Sequence, residues 1–93
     1  MVVEWDPDKA VSNLRKHGIR FSDVETAFFD DHAVSIPDSL SVGEDRFLLV
    51  GTDTLGRIVT ISYTFRRDAV RVISARRATK RERKVYEKRI RFQ

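Results

Sequence analysis

The chain has 93 residues, enough for one domain with a single modest core. Its 41% hydrophobic and 34% charged residues exclude a disordered chain, and the absence of cysteine excludes disulfides, thiolate nucleophiles and thiolate metal sites. The formal net charge of +4 is unevenly spread: residues 57–93 carry thirteen Lys and Arg against Asp68, Glu82 and Glu87, whereas residues 1–56 carry five against eleven acids. The C-terminal part should therefore present a positive surface that attracts polyanions; a solubilising charged face is the plainer alternative. Residues Met1 to Asp6 show neither the basic stretch nor the apolar run of a signal peptide. No apolar run approaches the roughly 20 residues that span a bilayer. A cytoplasmic location and no membrane partner are the expectation.

Val2 to Trp5 reads as a short first strand. Asp6 followed by Pro7 predicts a helix start, with Asp as cap and Pro in the first turn. That helix runs to His17, carries Ala10, Val11 and Leu14 as its apolar stripe, and stops at Gly18. Ser22-Asp23-Val24-Glu25 has the spacing of a capping box and predicts a second, short helix through Val24, Ala27 and Phe28. It ends at Asp30-Asp31. His32 to Ile36 alternates as a strand, and Pro37 to Asp45 reads as a loop.

Arg46 to Thr52, Arg57 to Arg66 and Ala69 to Ala75 predict three further strands. Turns at Thr54-Leu55-Gly56 and Arg67-Asp68 separate them. A second capping box, Thr79-Lys80-Arg81-Glu82, opens a last helix to about Ile90. The order β-α-α-β-β-β-β-α predicts an α+β fold: an antiparallel sheet of four to five strands with two N-terminal helices and one C-terminal helix.

The chemistry is expected on the hairpin from Arg57 to Arg77. With a two-residue turn at Arg67-Asp68, directly opposed residues share a face. One face then holds Val59, Ile61, Tyr63, Phe65, Val70, Val72, Ser74 and Arg76. The other holds Ile58, Thr60, Ser62, Thr64, Arg66, Arg71, Ile73, Ala75 and Arg77. The first reads as core and the second as an open, cationic face. A bulge would reassign them, and the choice between Arg76 and Arg77 is the most sensitive to one.

Arginines on such a face can grip phosphates through forked hydrogen bonds and stabilise charge developing on phosphorus. Taken singly, each is more simply a solvated surface cation. His17, beside Lys16 at a predicted helix end, is a candidate general acid; a helix-capping surface histidine is the alternative. His32, Trp5, Tyr63 and Tyr86 read first as structural residues, although Tyr86 on the basic last helix could stack on a base. That helix suits either RNA or an acidic partner. No pair of histidines and carboxylates has a ligand spacing, so neither metal nor other cofactor is expected.

Several of these residues, taken in order, resemble the BrnT family of small ribonuclease toxins. They are Glu4-Trp5-Asp6-Pro7, Lys9, Asn13, Lys16-His17-Gly18, Phe21 and Phe28-Phe29 in the N-terminal part. Gly56-Arg57, Tyr63-Thr64, Arg66 and Arg71-Val72-Ile73-Ser74-Ala75-Arg76 follow, then Thr79, Glu82-Arg83 and Tyr86-Glu87. The resemblance implies a RelE-like fold and a metal-independent endoribonuclease in which the ribose 2′-hydroxyl attacks the adjacent phosphate. It also implies a BrnA-like antitoxin that neutralises the toxin in a heterotetramer and supplies all contact with DNA.

On the hairpin reading, Arg76, His17, Arg66, Arg71 and Tyr63 are the catalytic candidates. Lys16, Arg57, Arg77 and Arg83 are the candidates for substrate binding. A non-catalytic basic module that holds nucleic acid or protein is the competing class, and turnover separates the two.

Overall fold

The computed structural model describes residues 1–38 and 45–91. Five strands form one mixed sheet in the order β1-β5-β4-β3-β2. They are β1 (Val2–Trp5), β2 (Val34–Pro37), β3 (Phe47–Thr52), β4 (Ile58–Arg66) and β5 (Ala69–Arg77). The helices are α1 (Pro7–His17), α2 (Phe21–Val24), which tightens into a 3₁₀ segment over Glu25–Phe29, and α3 (Lys80–Arg91). The α+β expectation holds. Most of the predicted loop Pro37–Asp45 lies outside the described residues.

Local signals set the ends of α1 and α3. Asp6 accepts the Asp8 N–H at 2.9 Å and Pro7 occupies the first turn. At the other end Gly18 takes φ 69°, which a Cβ would oppose, and its N–H returns to the Leu14 carbonyl at 2.9 Å. The Thr79–Glu82 box closes in both directions: the Thr79 N–H donates to Glu82 Oε1 at 2.8 Å, and the Glu82 N–H to Thr79 Oγ1 at 3.2 Å. The Ser22–Glu25 box does not form. α2 begins at Phe21, two residues before the start that a Ser22 cap implies, with Arg20 in the cap position and no side-chain cap. The reason is packing: Ile19 and Phe21 are both drawn into the core at 1% exposure, and their anchoring sets the backbone before Ser22. Strand β2 starts at Val34 rather than His32, because the Asp30 carboxylate takes the His32 N–H and its carbonyl takes the Ala33 N–H, closing a turn there.

The strands β2 to β5 form the predicted antiparallel meander, but β1 lies parallel to β5, with Val3 beside Val70 and Trp5 beside Val72. A wholly antiparallel sheet is thus corrected to a mixed one. Tight turns force neighbouring strands antiparallel. β1 has no such turn with β5, and its direction follows from α1 leaving at Asp6 to cover the face that Val3 and Trp5 enter.

The core lies on that face. Ile19, Phe21, Val24 and Ala27 pack on Leu49, Val59, Ile61, Val70, Val72 and Ala75. On the opposite face α3 covers one end of the sheet, where Tyr86 packs with Val50, Ala78 and Ile58. Its hydroxyl bonds both Asp30 and Thr52. The Asp30 carboxylate also accepts the Thr52 N–H at 2.9 Å, so one acid joins the end of the 3₁₀ segment, β3 and α3.

Candidate functional site

The site rests on an irregularity in the β4–β5 hairpin. From Arg66 opposite Ala69 the pairing is regular to Tyr63 opposite Val72; it then shifts, and Ser62 faces Ser74. Ile73 is the extra residue. This bulge corrects the predicted faces beyond it: Ala75 and Arg77 turn to the core side, whereas Ser74 and Arg76 join Thr60, Ser62, Thr64, Arg66 and Arg71. Burial agrees, since Ala75 is fully buried against the core. The backbone freed at the bulge is held from α1. The Asn13 side chain donates to the carbonyls of Ala75 at 2.8 Å and Ile19 at 3.0 Å, and accepts the Ala75 N–H at 3.0 Å. Asn13 thus takes up the edge of β5 past the end of β1.

Three arginines therefore share the face away from the core. Arg66 is exposed at the hairpin tip. Arg71 lies diagonally across from it, and the Glu4 carboxylate of β1 sits 3.5 Å from its guanidinium. Arg76 stands farther along β5, roughly 15 Å from Arg71 at strand spacing, next to the N-terminus of α3. There Glu82 takes its guanidinium at both oxygens, Nη1 to Oε1 at 2.7 Å and Nη2 to Oε2 at 3.0 Å. Thr60 Oγ1 adds a bond to the same Oε1 at 2.9 Å. The hydrogen bond from Arg76, aided by those from Thr79 and Thr60, outweighs burial and holds the Glu82 carboxyl down to about 2. The same pairing raises the pKa of Arg76, against burial.

Lys16 and His17 do not lie on that face. With Lys9 they form the α1 side of a depression at the free edge of β5, whose other wall is Ile73 and Ser74. Ser74 and Arg76 are two residues apart on one face, so the depression opens about 7 Å from Arg76 along the strand. Arg57, Arg77 and Arg83 gather around a second depression with Gly56, Ile58 and Glu87. Within it Arg57 is held by its own turn: its Nε donates to the buried Asp53 at 2.7 Å, and Asp23 lies 3.8 Å from Nη2. Tyr63 is not brought to either group. It is buried on the core side among Phe28, Phe47 and Phe65, with its hydroxyl on Ser35.

Sequence reasoning missed Glu82 as the partner of Arg76, Glu4 as that of Arg71, and Lys9 beside His17. The spacing of Lys9, Asn13 and Lys16 along one face of α1 could have shown the last. Nothing in the spacing of Arg76 and Glu82 could have shown the first. Among the described residues, no group of three or more His, Asp or Glu side chains is placed to hold a metal ion. No helix among them is long and apolar enough to cross a membrane.

Fold and site together define a small α+β protein, with two helices on one face of a mixed sheet and arginines on the other. The sequence from residue 5 to residue 82 matches the family model described as the ribonuclease toxin, BrnT, of type II toxin–antitoxin systems. The fold matches the 1.1 Å crystal structure of the Brucella abortus ribonuclease toxin BrnT with a TM-score of 0.69. Identity to it is 30%, over 86% of this chain and 99% of that one. Comparison with curated proteins gives no match. The chain belongs to the BrnT family of ribonuclease toxins of type II toxin–antitoxin systems.

Proposed function

We propose that this chain is an endoribonuclease that works without a metal ion, through attack of a ribose 2′-oxygen on the adjacent phosphorus and departure of the 5′-oxygen. The observation that carries the reading is the bulge at Ile73, which turns Arg76 onto the face of Arg66 and Arg71. The open sheet face takes the RNA backbone. Arg76 stabilises the charge that develops on the phosphate oxygens, where a pre-placed donor has its largest effect. Arg66 and Arg71 hold flanking phosphates. His17, in the depression beside Ser74, protonates the leaving 5′-oxygen, and Lys16 assists by holding phosphate there. Arg77 and Arg83, with Arg57 fixed behind them, extend the binding surface. Tyr63, on the far side of the sheet, has no part in the chemistry.

Membership of a type II toxin–antitoxin family implies an antitoxin partner. We take that partner to be a BrnA-like DNA-binding protein that neutralises the toxin in a heterotetramer, so that DNA is met only through the complex, in the cytoplasm.

The test is cleavage of RNA by the purified protein in excess EDTA, beside folded Arg76→Ala and His17→Ala variants. Fragments should appear with the wild type and fall about a hundredfold or more in rate with Arg76→Ala, the usual loss for a charge-stabilising donor. RNA left intact by a folded wild-type protein would overturn the reading in favour of a binding module. Undiminished cleavage by Arg76→Ala would remove that residue from the site.

A further inference from the structure

A guanidinium carries five N–H donors in one plane, and the geometry around Arg76 accounts for three of them. One N–H of Nη1 goes to Glu82 Oε1 at 2.7 Å, and the other to the Arg77 carbonyl at 3.3 Å. One N–H of Nη2 goes to Glu82 Oε2 at 3.0 Å. The Nε–H and the remaining Nη2–H find no acceptor among the described residues. These two lie side by side along one edge of the plane. They have the spacing that receives two oxygens of a single phosphate.

Glu82 is itself held firmly. Its Oε1 accepts from Arg76, from Thr60 Oγ1 at 2.9 Å and from the Thr79 N–H at 2.8 Å. It is thus fixed to the sheet and to the first turn of α3 at once, and the side chain is only 21% exposed. An arginine on an open strand would otherwise sample many rotamers, each transition-state contact then carrying an entropy cost.

We infer that Glu82 is a positioning residue: it occupies one edge of the Arg76 guanidinium and presents the Nε–Nη2 edge as a preformed fork for the phosphate that is cleaved. The inference rests on the ribonuclease reading for its kinetic consequence, but the fork is a property of the folded protein. Glu82 has opposing effects. Its charge weakens the attraction of Arg76 for a phosphate in the ground state, while its hydrogen bonds remove the need to reorganise in the transition state. Loss of the carboxylate should therefore lower turnover without weakening RNA binding.

Glu82→Gln isolates this. Its amide oxygen can still accept from Thr79, Thr60 and Nη1, so the helix cap persists, but an N–H₂ group now opposes Nη2. Turnover should fall about tenfold or more, as when an orienting partner behind a functional group is removed, with KM unchanged or lower. Thr79→Ala serves as the control, since it removes the other half of the cap without touching Arg76: it should lower stability and spare turnover. In an Arg76→Ala background, Glu82→Gln should change nothing further. Wild-type turnover in Glu82→Gln, or an equal loss in the Arg76→Ala background, overturns the assignment.

A second readout does not depend on cleavage. Inorganic phosphate titrated into the labelled wild-type protein should shift the Arg76 Nε–H resonance. A resonance that ignores phosphate overturns the fork even if RNA is cut. A phosphate response in a protein that leaves RNA intact would instead retain the fork and remove the ribonuclease reading.

Discussion

Single polar side chains do much of the joining in this small molecule, and Asn13 is the clearest. Its amide makes three buried hydrogen bonds, two of them to Ala75, at 5% exposure. Asn13→Leu would leave the Ala75 N–H and two carbonyls without partners. We expect a loss of about 2–4 kcal/mol in urea denaturation, the range for stranded buried polar groups; a loss below about 0.5 kcal/mol would show that water substitutes freely there. Glu82 acts through charge. Its folded pKa, about 2, lies below the ordinary value of 4.5, so it contributes stability that is present above pH 4.5 and lost as the pH falls toward 2. Asp30 acts in the same sense: burial raises its pKa, but the bonds from Tyr86, His32 and Thr52 outweigh burial and lower it overall. Acid unfolding of Glu82→Gln should therefore be shallower between pH 4.5 and 2 than that of the wild type. Identical acid limbs would argue that the Arg76–Glu82 pair contributes nothing to the fold.

Among the elements, β5 is the decisive one, because its bulge chooses which cation lies on the open face of the sheet. Inserting one residue between Ser62 and Tyr63 would give Ile73 a partner and remove the bulge, which would drive Ser74 and Arg76 toward the core side and pull Ala75 out of it. The insertion should therefore unfold the domain or abolish cleavage, whereas Ile73→Val, which keeps the register, should cost about 1 kcal/mol or less. An active, stable insertion variant would mean that the face of Arg76 is immaterial. α3 depends on its two ends differently. Its Thr79 cap should be worth about 1 kcal/mol, read as a drop in denaturation midpoint for Thr79→Ala.

For the molecule as a whole, the dominant feature is the separation of charge along the chain, thirteen basic residues against three acids in residues 57–93. Folding lays these on the arginine face of the sheet, on α3 and around the depression of Arg57, Arg77 and Arg83. Binding of a single RNA strand should weaken steeply with salt. Four phosphate contacts would give a log–log slope of about −3, and removing one arginine, as in Arg71→Ala, should reduce its magnitude by about 0.7. Filter binding of an uncleavable deoxy analogue across a salt series measures both, and a flat salt dependence would exclude the sheet face as the RNA track.

The caps of α1 and α3, the stop at Gly18, the turn at Arg67-Asp68 and the four-strand meander were all legible from residue types. Each depends on interactions within a few residues: an Asp or Thr side chain reaching the next turn, a glycine at positive φ, a two-residue connection that forces antiparallel pairing. The concentration of cations on one hairpin was legible for the same reason. The direction of β1 was not, because its partner in β5 lies more than sixty residues away and no turn links them. Nor was the abandoned Ser22 cap, where burial of Ile19 and Phe21 outweighed a local hydrogen bond. The face of Arg76 turned on one inserted residue, and a sheet's register is settled by all its strands and helices packing at once. Its pairing with Glu82 depended in turn on where α3 comes to rest against β4 and β5. The chain's own order of residues specifies the cations; long-range packing specifies which of them meet, and on which side of the sheet.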